Sequence, residues 1–418
     1  MTASKSPNSR LGSRAAATGV IFLSFIVAFE ILIMISPFAF FFYAIFNPFL
    51  LALNQSSMTR WLTAFFLPHM IVPPDEVLKV IRILGSVFFV GGALLFLICA
   101  GQVYLGKLLK RGVATGGFYR FIRHPQYLGL GLTALGLVIM WPRFLNLALF
   151  ALMLFLYYLL AKDEERRMTR RFGESYLVYM NRTGMFLPYF IAKVWTRKIA
   201  EPPQLLRPVR AAAIFVVLLP LVVGIGFVLR SYTILHLPLE EVSRVDVIAI
   251  TKGDLLPARN LLPSVIKDPA VASKLQSVPR DKGHRVLAYF IPVDYVMQGM
   301  IADTGKEWKL FEQHKTLGMI AGYIFHPFAH LTEGHTGLMA AMHHEPVGHN
   351  NPAMSRRIIF MEISASRSAL KSPDDDFGIN IKRTPLFLVD VNLHTGEVLQ
   401  VKETPTGSGW GTVPTPMF

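Results

Sequence analysis

Cysteine is almost missing from this chain: Cys99 is the single one in 418 residues. That excludes an intrachain disulfide and a cysteine-based zinc site, and it leaves the redox compartment open. Acidic residues are scarce in one half only. Residues 1–235 hold 8 Asp and Glu against 24 Lys and Arg, a net +16, whereas residues 236–418 hold 19 against 18, a net −1. A nucleic-acid-binding domain needs a basic face on a soluble portion. Here the soluble half is neutral, so that class is set aside. There is no G-x-S-x-G nucleophile motif and no internal repeat.

What is abundant is apolar sequence. Hydrophobic residues make up 52% of the chain, and the mean hydropathy is +0.43. Those values point to an integral membrane protein. A spanning helix needs roughly 20 mostly apolar residues. The runs at Val20–Phe46, Val80–Leu105 and Ala211–Leu229 qualify. Tyr127–Trp141 and Phe144–Ala161 are shorter and are joined by Pro142-Arg143, which predicts a helical hairpin. Trp61–Val72 and Gly184–Trp195 read as interfacial or re-entrant segments. The first run reads as a retained anchor, because no small-residue cleavage site is evident.

The positive charges set an expected orientation. They gather in residues 1–19, 106–126 and 162–210. Five spans with a cytoplasmic N-terminus place all three groups inside. The same count puts residues 236–418 outside, in the periplasm if the cell is bacterial. The expected fold is a polytopic α-helical membrane protein of about five spans with a C-terminal extracytoplasmic α+β domain. Its expected parts are an N-terminal span with an interfacial segment (1–79), a membrane core with the last span (80–235) and the outer globular domain (236–418). In the outer domain, Val245–Thr251, Arg285–Ile291, Arg357–Ile363, Leu386–Asn392 and Glu397–Val401 read as strands. His394-Thr395-Gly396 supplies a hairpin turn for the last two.

Histidine is concentrated there too. Eight of the twelve lie between His284 and His349. His326 and His330 are four apart, and on a helix both imidazoles would share a face, a metal-pair spacing. His335, His343, His344 and His349, with Glu333 and Glu345, could complete a copper or zinc shell, and Met339 and Met342 would suit copper. Two plainer alternatives remain: ordinary surface and core histidines, or a contact with a partner protein.

The other concentrated chemistry sits at a helix mouth. Residues 116–131 read GGFYRFIRHPQYLGLG. Arg123 offers a planar fork for a carboxylate or phosphate. His124 can donate, accept or take a proton. Pro125 suits a first helical turn, whose positive dipole end favours an anion. After the next apolar run comes DEERRMTRRFGESYLVY, and the hairpin returns this second cluster to the same membrane face. Glu164 and Glu165 could accept hydrogen bonds from hydroxyls or an amine.

These ordered segments, followed by MFLPYF, resemble the isoprenylcysteine carboxyl methyltransferase and phospholipid methyltransferase superfamily over about residues 80–195. The resemblance implies an S-adenosylmethionine-dependent membrane methyltransferase with its cofactor at the cytosolic helix ends. By motif position, Arg123, His124, Pro125, Tyr127 and Gly129 would line the cofactor, Tyr119 would support it, and Glu164 and Glu165 would hold its polar groups. The implied acceptor is a membrane lipid or another amphipathic molecule. The alternative is a non-catalytic membrane subunit whose outer domain binds a protein partner or a metal.

Overall fold

The computed structural model describes residues 29, 31–39, 41, 53, 56–69, 71–109, 114–191, 207–279, 284–293, 295, 354–364, 372–379 and 381–404. The histidine-rich segment from His326 to His349 lies outside them, and so does most of the first expected span. The described helices are α1 (Glu76–Leu108), α2 (Pro125–Met140), α3 (Phe144–Phe172), α4 (Glu174–Arg182), α5 (Arg207–His236), α6 (Leu255–Lys267) and α7 (Pro269–Leu275). Among the described residues three helices are long and apolar enough to cross a membrane, namely α1, α3 and α5, while α2 is a shorter apolar helix. Residues 31–39 are also helical.

The chain divides into two compact units. The first comprises residues 1–44, 91–134 and 149–215. Its helices meet through glycine. A Cβ on Gly92 of α1 would fall 2.4 Å from the Thr133 nitrogen, and one on Gly129 of α2 would fall 2.6 Å from the Phe96 nitrogen. Only bare backbone allows that approach, so any side chain there would force the helices apart. Aromatic edges fill the wider gaps, as where Phe41 meets Phe150 and Phe155 stacks on Phe215.

The second unit comprises residues 45–90, 135–148 and 216–418. It contains a six-stranded sheet in sequential order: β1 (Leu239–Val242), β2 (Val245–Ala249), β3 (His284–Pro292), β4 (Ser355–Ser364), β5 (Lys382–Asn392) and β6 (Val398–Glu403). All neighbours are antiparallel except β2 and β3. A parallel pair needs a long crossover, and α6 and α7 provide it. Asp268 starts α7 by accepting from the Ala270 and Val271 amides, with Pro269 directly after it. That is the usual division of labour between an N-cap oxygen and a proline that has no amide to satisfy.

Both faces of the sheet are covered, which is why its central strands read as continuous apolar runs rather than alternating ones. Val247, Ala288, Phe290, Phe360 and Val389 pack under Leu262, Val265 and Val271 of the crossover helices. On the other face, Ile248, Leu287, Tyr289, Ile359 and Leu388 meet Phe65, Ile71, Leu237 and Phe377. Phe65 and Ile71 come from the segment expected at the membrane interface, and they are fully buried in this core. Arg230 near the end of α5 ties these parts together by donating to the Phe65 and Phe377 carbonyls.

Candidate functional site

Everything at the mouth of α2 lies within the first unit. The approach is a 3-10 turn at Gly117–Arg120, where Gly117 takes φ +59°. A left-handed residue there favours glycine. Gln102 of α1 donates to the Gly116 carbonyl at 3.0 Å. Tyr119 is buried, and its hydroxyl meets the Cys99 carbonyl at 3.2 Å and the Gln126 side-chain oxygen. Tyr179 of α4 in turn donates to the Tyr119 carbonyl at 2.7 Å.

Residues 121–124 are then stitched to the strand-like segment after α4. The Arg123 amide donates to Gly184 at 2.8 Å, His124 to Met185 at 3.1 Å, and Gly184 back to Phe121 at 3.2 Å. Pro125 opens α2. The backbone of RHP is therefore fixed on both sides before any side chain is considered.

The Arg123 side chain is nearly buried. Its Nε donates to Glu165 Oε1 at 2.6 Å, and its Nη1 donates to the Met180 carbonyl at 3.0 Å and to the Thr183 carbonyl. Those two carbonyls belong to the last turn of α4 and the residue that ends it, where orphan acceptors are expected. Arg123 thus joins α3, α4 and the start of α2. Glu165 is 4% exposed and also lies 3.7 Å from Lys162 Nζ.

His124 sits between the two glutamates. Its Nδ1 is 3.5 Å from Glu164 Oε2, and its Nε2 is 3.6 Å from Glu165 Oε1. The second distance is too long for a hydrogen bond, so Nε2 is buried without one. Burial opposes a charge on this ring, yet the Glu164 and Glu165 carboxylates outweigh it and raise the pKa above the usual histidine value. The ring stacks on Tyr127 with centroids 5.5 Å apart, and Tyr127 stacks on Tyr157 at 5.0 Å. Phe186 closes one side at 6.1 Å. The Tyr127 hydroxyl is 3.4 Å from Glu164 Oε2.

Of the residues singled out in the sequence, the fold gathers Tyr119, Arg123, His124, Pro125, Tyr127, Glu164 and Glu165 into this cluster. Gly129 is spent elsewhere, on the close crossing with α1. Sequence reasoning missed Tyr157, Gln126, Phe186 and the carbonyls of Met180 and Thr183. Tyr157 lies seven residues before Glu164, two helical turns back on the same face, and that spacing was the available signal for it. A backbone carbonyl leaves no mark in a sequence. Among the described residues no group of three or more His, Cys, Asp or Glu is placed to hold a metal ion, and the histidines expected to do so, His326, His330, His335, His343, His344 and His349, lie outside the described residues.

Chemically, the cluster combines two carboxylates, an imidazole biased towards its cation, and stacked aromatic faces. Such a mixture suits a ligand that is cationic and flat in parts. No curated protein matches this chain, and no solved structure matches it. The family model for phospholipid methyltransferase does match, over residues 98–175, and the resemblance to that superfamily holds for the segment that carries Tyr119, Arg123, His124, Tyr127, Glu164 and Glu165.

Proposed function

We propose that the chain is an integral membrane methyltransferase that takes its methyl group from S-adenosylmethionine and passes it to a lipid or another amphipathic acceptor. The observation that carries this reading is His124 held between Glu164 and Glu165 inside the matched segment. The buried and unbonded Nε2 of His124 is a second support, because a buried polar atom without a partner calls for an explanation, and a bound ligand would supply one.

The residues present fit such a cofactor. Its sulfonium and ammonium are cationic, and its adenine is flat. Glu164 is about one-third exposed, with a side-chain exposure of 37%, so it can offer a carboxylate to a cationic or hydroxyl-bearing group. The Tyr127 and Tyr157 faces offer stacking and cation–π contact. Arg123 and Glu165 act mainly on each other, and their part is to hold the frame rigid. Arg123 Nη2 takes no part in those contacts and can still meet the cofactor's carboxylate. When bound, the cofactor supplies an electrophilic methyl group. The chain's own contribution is to align the acceptor and exclude water.

The concentration of basic residues in 106–126 and 162–210 supports a cytoplasmic site, and the same reasoning puts the sheet domain outside. The test is titration of the purified full-length protein with S-adenosylmethionine in detergent. Saturable binding that Glu164→Gln weakens supports the reading. A parent protein that does not bind the cofactor overturns it and leaves a non-catalytic scaffold.

A further inference from the structure

The two carboxylates at the mouth of α2 are unequally committed. Glu165 is already matched: Arg123 Nε donates to it at 2.6 Å, and Lys162 Nζ stands 3.7 Å away. Glu164 faces His124 Nδ1 at 3.5 Å. It is also the partly exposed member of the pair, so it is the carboxylate that a ligand's cation can reach. One carboxylate therefore stands between two cations, the imidazolium and the ligand.

The neighbouring elements do not relieve this competition. On α3, Arg167 adds positive charge near Glu164 while it pairs with Asp163 at 3.1 Å. On α1, Lys107 adds more from its place over the Tyr104 ring. The phenols of Tyr176 and Tyr179 on α4 are kept protonated by burial, so they bring no negative charge. Tyr127 of α2 and Phe186 beyond α4 meet the imidazole with ring faces and edges only.

Burial opposes a charge on His124, and the Glu164 and Glu165 carboxylates outweigh it, so the ligand-free ring favours its proton. A second cation brought to Glu164 takes away much of what holds that proton. Two positive charges this close in a poorly solvated site repel strongly. A histidine near neutral pH sheds its proton at small cost, whereas a sulfonium has no proton to shed.

We propose that His124 and a cationic ligand compete for Glu164, so that binding at this mouth displaces a proton from the imidazole. The Nδ1–H bond facing Glu164 breaks, its electron pair stays on the ring, and the proton leaves to water. Nε2 keeps its hydrogen on the side of Glu165. The inference rests on the reading of the cluster as an S-adenosylmethionine site and adds a control to it, in that pH sets affinity through His124. Affinity is weakest at low pH, where the ring is charged. It rises with pH until the ligand-free ring has lost its proton, and then levels off. Linkage is reciprocal, and a single proton limits the slope to about tenfold per pH unit.

The test is isothermal titration of the full-length protein in detergent with S-adenosylmethionine, at about pH 6, where the ligand's own ammonium stays charged. Two buffers of different ionisation enthalpy count the protons. About half to one proton should be released per cofactor bound, and affinity should rise by about three- to tenfold per unit between about pH 5.5 and 7. His124→Gln cannot titrate, so both the release and the slope should vanish. Glu164→Gln removes the contested counter-ion and should also cut the release, which keeps the inference open to failure should His124→Gln not fold. Binding without proton release, or release that persists undiminished in either variant, overturns the inference and leaves the methyltransferase reading standing. No binding at all removes both.

Discussion

Two regions of this molecule bury arginine–carboxylate pairs, and they do so differently. In the sheet, Arg357 and Asp390 lie directly opposite on β4 and β5. They meet at 2.6 and 2.7 Å through two parallel hydrogen bonds, with exposures of 5% and 0%. Both side chains are buried, and no polar atom of either is left unsatisfied. At the mouth of α2, Arg123 and Glu165 are as short, but His124 is added between two glutamates at 3.5 and 3.6 Å, and Glu164 opens to solvent. This structural pair leaves no polar atom unmet. The helix-mouth cluster has an imidazole atom unsatisfied and a carboxylate available. The two together, an unsatisfied ring atom beside a carboxylate open to solvent, separate this site from a brace.

The comparison predicts its largest effect in the sheet. Asp390→Ala removes the carboxylate facing a buried guanidinium and should lower stability by about 3–5 kcal/mol, seen as a loss of folded protein in denaturant titration. Cofactor affinity of the fraction that remains folded should not change. If affinity falls in proportion, the two regions are not energetically separate.

Next in size is the converse experiment. Glu164→Gln keeps the shape of a side chain that is partly solvated, so unfolding should shift little. Cofactor affinity should fall by about ten- to a hundred-fold, the equivalent of roughly 1.5–3 kcal/mol for a lost charged hydrogen bond. Isothermal titration measures it. A large drop in stability with unchanged affinity would make Glu164 a brace like Asp390.

Against the sheet lies a buried acid that is itself left incomplete among the described residues. Asp376 is fully buried, close to Asp246, and Arg285 takes Asp246 at 2.7 Å while standing 3.7 Å from Asp376. Burial, then the neighbouring Asp246 carboxylate, push Asp376 up to about 8 from an ordinary value near 3.8. The folded chain therefore keeps a proton that the unfolded chain gives up above about pH 4. This contribution to stability is fully present below that value and is lost as pH rises towards 8, with a slope of at most about 1.4 kcal/mol per pH unit. Asp376→Asn should flatten that dependence in thermal melts between pH 5 and 8. A wild-type melting temperature that rises over this range contradicts the assignment.

Much of this architecture was legible in the sequence, and the failures have physical causes. Five strands were readable because β-branched and aromatic residues crowd into runs that are buried on both sides, as in RVLAYFI of β3. β1, LEEV, is short, half polar and at an edge, so it carries no such signal. The hairpin of α2 and α3 was visible from Pro142. The continuation of α3 past Ala161 to Phe172 was not, because a polar face replaces an apolar one without any break in the helix. The interfacial reading of Trp61–Val72 missed that Phe65 and Ile71 fill the sheet core, since sequence records apolarity but not the partner. At the site, titratable side chains were found from their types and order. The carbonyls that fix Arg123 and the aromatic stack behind Tyr127 depend on three-dimensional closure.

The smallest expected effect tests the sorting of three consecutive acids. Asp163, Glu164 and Glu165 are alike in sequence, yet successive helical residues point about 100° apart. The helix turns Asp163 outward, where it is more than half exposed and pairs with Arg167 at 3.1 Å, four residues on. Glu164 falls at the boundary, and Glu165 points in. An exposed pair of this spacing contributes about 0.3–0.5 kcal/mol and is screened by salt. Asp163→Ala should therefore move the unfolding midpoint by less than the usual error at 0.15 M salt and leave cofactor affinity within twofold of wild type. Raising the salt should shrink even that difference. If Asp163→Ala instead weakens the cofactor as much as Glu164→Gln does, the ligand responds to the total charge of the segment and not to one carboxylate placed beside His124, and the cluster loses its claim to be a shaped site.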